Sequence, residues 1–256
     1  MKKQLYLLSL LVVILNTSCK EEQLKYYSYS VEQVYPHDVS SYTQGLFFHN
    51  GNLYESTGQY GETTMRRVNL PNGEALQKQP FDVQFFGEGS VIFNNKLYML
   101  TWMEGVVFVM NPDSFEVIAK HPNRHQGWGL TTDGEFLIMS DGSSQLFYME
   151  PNDFSEKKSV QVTLNGHPVP YLNELEYIDG KVWANVYGKD QIVIIEPKSG
   201  KVVGLLDCSG ILPNSERTIR TDVLNGIAWN PDTKELFITG KYWPNMYKIK
   251  TKEISK

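Results

Sequence analysis

The 256-residue sequence predicts an all-β fold, a single five-bladed β-propeller, on three observations. Tyr, Phe and Trp are plentiful, at 15, 12 and 5 copies, which favours strands over helices. A strand–turn–strand unit recurs five times at a spacing of roughly 40 to 52 residues, in or near the range of propeller blades. The two ends of the chain each supply one unpaired strand, enough to complete a blade between them.

The N-terminus comes first. Lys2 and Lys3 precede an apolar run from Leu5 to Leu15, too short to span a bilayer, which ends in Asn16-Thr17-Ser18-Cys19. Residues 1–18 therefore read as a lipoprotein signal peptide and Cys19 as the lipidated first mature residue. The charged stretch after it makes 19–26 a flexible tether, with the propeller occupying 27–256. The expected product is an exported bacterial lipoprotein, facing the periplasm or the cell surface, monomeric, and touching the membrane only through its lipid. Cys208 is the only other cysteine, so no intramolecular disulfide is expected and no common zinc spacing occurs.

The five units follow in order. They begin at Gln44-Gly45-Leu46-Phe47, Glu88-Gly89-Ser90-Val91, Trp128-Gly129-Leu130, Asn173-Glu174-Leu175-Glu176 and Asn225-Gly226-Ile227-Ala228, each running into an Asn/Asp/Gly turn and a second strand. Four continue into a third strand, a Pro-containing turn and a fourth strand. The fifth stops after Met246 to Lys250, and the β-rich segment Tyr27 to Tyr35 has no hairpin of its own. A strand from each end then closes the ring in the last blade. A β-sandwich would not explain five in-phase repeats.

In a propeller the innermost strands line the channel, so aligned starts form a ring at one end. That ring reads Gln44, Glu88, Trp128, Asn173 and Asn225. The second strands return to the same face at Gly58, Trp102, Asp141, Tyr187 and Lys241. Three large aromatics around one inner-ring carboxylate, with Phe86 as a further wall, make a small-ligand pocket. A carboxylate desolvated by indoles has its pKa raised toward neutrality, which suits Glu88 to general acid/base work. Asp141 serves equally as a second acid or as the Asx residue of its own turn, Asp141-Gly142-Ser143-Ser144. Lys241 is placed to steady a developing oxyanion.

The net charge of -5 leaves no basic footprint for nucleic acid. No nucleophile elbow, Cys–His pairing or phosphate loop is present, and the five histidines fall in turns, where solvation is expected. A metal-dependent lactonase would need several inward carboxylates, and the inner ring holds one.

The motifs Tyr42-Thr43-Gln44-Gly45-Leu46, Phe86-Gly87-Glu88-Gly89, Leu100-Thr101-Trp102, Gly127-Trp128-Gly129-Leu130, Leu172-Asn173-Glu174-Leu175-Glu176-Tyr177 with Trp183-Ala184-Asn185-Val186, and Leu224-Asn225-Gly226-Ile227-Ala228-Trp229 with Thr239-Gly240-Lys241 occur in this order. With them the chain resembles the plant and bacterial type of glutaminyl cyclase, a metal-independent five-bladed propeller, over nearly all of its mature length. The resemblance implies cyclisation of an N-terminal glutamine of a peptide or protein to pyroglutamate, with ammonia released. It implies that Glu88 shuttles the proton, Gln44 and Asn173 hold the substrate's polar groups, Trp102 and Trp128 wall the pocket, and Lys241 steadies the carbonyl. The family often carries tryptophan where this chain has Tyr187, whose phenol adds a polar tip. No cofactor is required on this reading, and a structural calcium in the channel stays open. A non-catalytic propeller that docks a peptide or glycan is the competing reading, because fold alone does not imply function.

Overall fold

Residues 23–255 are described in the computed structural model, so the segment 1–18 read as a signal peptide, and Cys19, lie outside the described residues. Strand β1 (Lys25–Pro36) precedes the first repeat. The first unit is β2 (Thr43–His49), β3 (Asn52–Thr57), β4 (Thr64–Asn69) and β5 (Glu74–Pro80). The second is β6 (Gly87–Phe93), β7 (Lys96–Thr101), β8 (Val106–Met110) and β9 (Val117–Pro122). The third is β10 (Leu130–Thr132), β11 (Leu137–Met139), β12 (Gln145–Met149) and β13 (Glu156–Gln161). A small hairpin, β14 (Thr163–Leu164) with β15 (His167–Pro168), is inserted before the fourth unit. That unit is β16 (Leu172–Ile178), β17 (Lys181–Val186), β18 (Gln191–Ile195) and β19 (Val202–Asp207), and the fifth is β20 (Leu224–Asn230), β21 (Glu235–Gly240) and β22 (Asn245–Ile254).

The first three units are separate four-stranded antiparallel sheets. The fourth and fifth share one sheet, ordered β16-β17-β18-β19-β1-β22-β21-β20. β1 is antiparallel to β22 from Tyr26↔Ile254 to Pro36↔Asn245, so it is the outer strand of the last blade and closes the ring, as the sequence predicts. It also runs parallel to β19 over Lys25↔Gly204 to Tyr27↔Leu206, which welds the last two blades edge to edge and leaves neither outer edge fully unpaired. No helix among the described residues is long and apolar enough to cross a membrane.

The inner and middle strands are apolar on both faces because each blade is covered by a blade on either side. β8 shows this as an unbroken run, Val107-Phe108-Val109-Met110, all buried. Five apolar clusters form the core, one at each junction between blades. Phe47, Tyr54 and Met65 meet Ile92, Met99 and Phe108 between the first and second blades. Leu46 and Leu53 meet Ala228 and Phe237 between the first and the last, completing the circuit.

In four blades the inner strand carries one residue more than its partner at the same place. The pairing steps from Thr43↔Thr57 to Gly45↔Ser56, from Gly87↔Thr101 to Ser90↔Met99, from Leu172↔Val186 to Leu175↔Ala184 and from Leu224↔Gly240 to Ile227↔Ile238. A bulge bends the strand and re-aims the side chain at that point. These bulges hold Gln44, Glu88, Asn173 and Asn225, four members of the inferred ring.

Candidate active site

At three of the four bulges, and in the third blade, glycine follows the ring residue and lets neighbouring inner strands approach closely. A Cβ on Gly89 would come within 2.5 Å of the Leu130 nitrogen, and one on Gly129 would run into the Asn173 carbonyl oxygen. Adjacent inner strands therefore touch backbone to backbone and tie to each other there. Gly89 N donates to the Trp128 carbonyl at 2.7 Å, and the hydroxyls of Ser56 and Ser140 donate to the carbonyls of Glu88 and Asn173 at 2.6 and 2.7 Å.

At this end of the channel lies a cavity of about 330 Å³, within the range of small-ligand sites. Phe86, Trp102, Trp128 and Tyr187 form its walls, and Gln44, Glu88, Asn173 and Lys241 supply its polar groups. Tyr42 and Gln59 complete the lining. Eight of the residues singled out in the sequence thus converge on one space. The aromatics brace one another: Phe86 meets Trp102 at 5.5 Å between centroids, and Trp128 meets Tyr187 edge-on at 5.8 Å. Both indole N–H groups donate to a single acceptor, Gln126 Oε1, at 3.1 Å from Trp102 and 3.3 Å from Trp128.

Glu88 is 5% exposed and accepts from Gln44 Nε2 at 3.0 Å. Burial pushes its carboxyl well above the usual carboxylate range; Lys241 opposes that rise and Glu104 adds to it. Lys241, 3% exposed, is brought down to about 8 by burial, against the pull of Glu88 and Asp222. Its Nζ sits 4.4 Å from the Tyr42 ring centroid and 5.3 Å from that of Tyr187, so aromatic faces take over part of the role of water around the ammonium. Asn173 Oδ1 is buried with no hydrogen-bond partner among the described residues, as is Asn225 Oδ1.

Of the remaining three, Gly58 packs against the Phe86 ring, which lies 2.4 Å from where an added Cβ would be, and Asn225 and Asp141 stand apart from the lining. Asn225 is fully buried behind Gln44, donating to the Thr43 carbonyl at 2.9 Å and to Gln44 Oε1 at 3.4 Å. Asp141 accepts the Ser143 amide at 2.9 Å, the Asx-turn alternative of the sequence reading.

Several functional neighbours escaped that reading. Tyr42 adjoins the ring in sequence but belongs to the loop before β2, so strand alignment leaves it out. Glu174 occupies the place that glycine holds after the other four ring residues, an anomaly visible in the repeat. Its carboxyl crosses to accept Leu46 N at 3.3 Å and Ile227 N at 2.8 Å, joining three blades, and burial holds it well above the usual range. His37, expected to be solvated, is buried instead. Its Nε2 faces Glu55 Oε1 at 3.0 Å and its Nδ1 the Trp243 carbonyl at 2.7 Å, because β1 must turn inward here to reach β2. Among the described residues no group of three or more His, Cys, Asp or Glu is arranged to hold a metal ion.

Comparison with known proteins places this architecture. Residues 4–251 match the family model described as glutamine cyclotransferase. The chain is 41% identical over 229 residues to the glutaminyl-peptide cyclotransferase of Arabidopsis thaliana, covering 86% of this chain and 70% of the relative. The crystal structure of Myxococcus xanthus glutaminyl cyclase superimposes with a TM-score of 0.85 at 32% identity, over 91% of this chain and all of that one. The chain belongs to the glutamine cyclotransferase family and is an enzyme of the glutaminyl-peptide cyclotransferase type.

Proposed function

We propose that the cavity folds an N-terminal glutamine back on itself and that Glu88 moves the proton that its cyclisation requires. The observation that carries this reading is the buried Glu88, its carboxyl pushed by burial well above the usual carboxylate range, in the lining of an aromatic cavity that also holds Lys241, and bonded to Gln44. In the reaction the neutral α-amine attacks the side-chain amide carbon, a C–N bond forms, and the tetrahedral carbon then expels its original nitrogen as ammonia. Ionised Glu88 takes the proton that the attacking amine must lose and returns it to the departing nitrogen, so the enzyme ends as it began. A carboxyl held well above its usual range is matched to that exchange near neutral pH.

Lys241 lies where its charge steadies the oxygen of the tetrahedral intermediate. Asn173 is part of the cavity lining and offers its side-chain amide to the substrate's polar groups. Trp102, Trp128, Phe86 and Tyr187 exclude water and impose the folded conformer. That conformer supplies most of what an intramolecular reaction needs, and no enzyme nucleophile is called for. Gln44 orients Glu88, Asn225 orients Gln44, and Asp141 acts through its turn beneath Trp128.

The reading extends to cleavage before Cys19 and lipidation of that residue, which fall outside the described residues. The tether that would hold a monomeric propeller at the periplasmic or outer face ends before β1, which begins at Lys25 and not at the Tyr27 expected from the sequence, because Lys25 and Tyr26 already pair with Gly204 and Leu205. No metal is required for turnover. The test is ammonia release from a glutamine-initiated dipeptide by the purified enzyme with a chelator present. Loss of activity restored by added zinc would overturn the metal-free proposal. Cys19→Ala should free the exported protein from the detergent-extracted fraction, and retention there would overturn the lipid anchor.

A further inference from the structure

The cavity takes one residue, so the rest of a peptide substrate must leave through the mouth and lie on its rim. On the side of the first two blades that rim is apolar. It consists of the loop between β3 and β4, the connection from β5 to β6 and the loop between β7 and β8, which expose Tyr60 at 51%, Val83 at 70% and Met103 at 61%. Single exposed apolar residues are ordinary, whereas a contiguous group beside a cavity marks a contact surface.

This group is continuous with the site. The Tyr60 ring packs edge-on against Phe86 at 5.4 Å, and Phe86 packs against Trp102 at 5.5 Å, so one aromatic row runs from the cavity wall onto the surface. Gly61 lies beside Val83, where even an added Cβ would come no closer than 3.8 Å to Val83 Cγ1. Glu104 pins the row from behind: its Oε1 accepts the Tyr60 hydroxyl at 2.8 Å and its Oε2 the Phe86 amide at 3.4 Å. The shelf is therefore preformed, and the charged residues next to it in the chain, Glu62, Asp82 and Glu104, are all acidic, with Glu62 paired to Arg220 at 3.7 Å.

We infer that the Tyr60–Val83–Met103 shelf receives the side chain of the substrate's second residue, selecting peptides in which an apolar or aromatic residue follows the N-terminal glutamine and disfavouring an acidic one. The inference rests on the cyclase reading of the cavity and adds to it a specificity subsite.

The experiment compares kcat/KM for glutamine dipeptides ending in Phe, Gly and Glu, for the parent enzyme and for a Val83→Ser/Met103→Ser double variant. The expected order is Phe, then Gly, then Glu. The Phe-to-Gly ratio should be roughly five to ten, the scale of burying part of an aromatic side chain. In the double variant the ratio should fall toward one while the Gly peptide is turned over as before, because both residues are exposed and lie outside the cavity lining. Normal turnover with a ratio near one in the parent would overturn the shelf alone. So would a ratio that survives the double substitution but collapses in Tyr171→Ser on the opposite rim. No turnover of any peptide would overturn the reading of the cavity itself.

Discussion

Gln44 Nε2 donates to Glu88 Oε1 across 3.0 Å, from one blade to the next, and leaves the other carboxyl oxygen to the cavity. A bond of this kind favours the ionised carboxylate, whereas burial favours the neutral acid, and burial prevails at Glu88. The group is thereby oriented through one oxygen and free to exchange a proton through the other.

Glu88→Gln keeps the size of the side chain and an oxygen for Gln44 but removes the exchangeable proton. Turnover of a glutamine dipeptide should fall by at least about 10²-fold with KM nearly unchanged. The melting temperature should hold or rise, since a buried carboxyl is exchanged for a neutral amide. Near-normal ammonia release from a folded Glu88→Gln variant would remove Glu88 from the chemistry.

Lys241 carries its charge below about pH 8 and loses it above. If that charge steadies the intermediate, kcat declines as pH rises through about 8, forming an alkaline limb. Lys241→Arg stays charged throughout, so its activity, although lower because the planar guanidinium fits the space between Tyr42 and Tyr187 differently, should lack that limb. Profiles of kcat from about pH 6 to pH 10 decide the matter, and an unchanged limb in Lys241→Arg assigns it to another group.

Gln126 is an exposed residue that acts through two others, since its Oε1 accepts from both Trp102 and Trp128. Gln126→Ala frees both indoles and should raise KM about three- to tenfold with kcat changed less, the pattern of weakened uniform binding. Gln126→Glu, which keeps an acceptor, should restore most of the loss. Equal loss in both variants would argue against the clamp.

Glu55 is buried against His37, Thr43 and Ser41, with Arg66 Nη1 4.0 Å away. Burial opposes both charges, yet the pairing prevails, so His37 is raised above its usual 6.5 and Glu55 is lowered below its usual 4.5. The histidine's contribution is complete below pH 6.5 and lost as pH rises through its folded value. The glutamate's is complete above pH 4.5 and lost as pH falls through its folded value. Glu55→Gln should cost about 3 kcal/mol near neutral pH and flatten the acid side of the melting-temperature profile. A loss under about 1 kcal/mol would show that the pair contributes little beyond its neutral hydrogen bonds.

Much of the site was legible in the sequence because a propeller repeats. Aligning five hairpins turns linear positions into angular ones, and the ring position alone put Gln44, Glu88, Trp128 and Asn173 around one axis. The return of the second strand then brought Trp102, Tyr187 and Lys241 to the same face. The closing of the ring was equally legible, because Tyr27 to Tyr35 alternates and has no hairpin partner in sequence.

The tertiary structure decided whatever depends on distance across blades rather than on phase within them. It aimed Glu88 and Gln44 at each other by a bulge in each strand, a feature that repeat alignment cannot see because every inner strand carries the same extra residue except the shortest. Asn225, at the bulge of β20, sits behind Gln44, to which it donates, and Tyr42 comes forward from the loop before β2, where no strand register sets its depth. His37 and Glu55 are 18 residues apart and carry no motif; they pair because β1 reaches β2 through the protein interior, where an unpartnered imidazole would be costly. Residue type and repeat phase are properties of the chain, whereas burial and the pKa shifts that follow from it are properties of the closed ring.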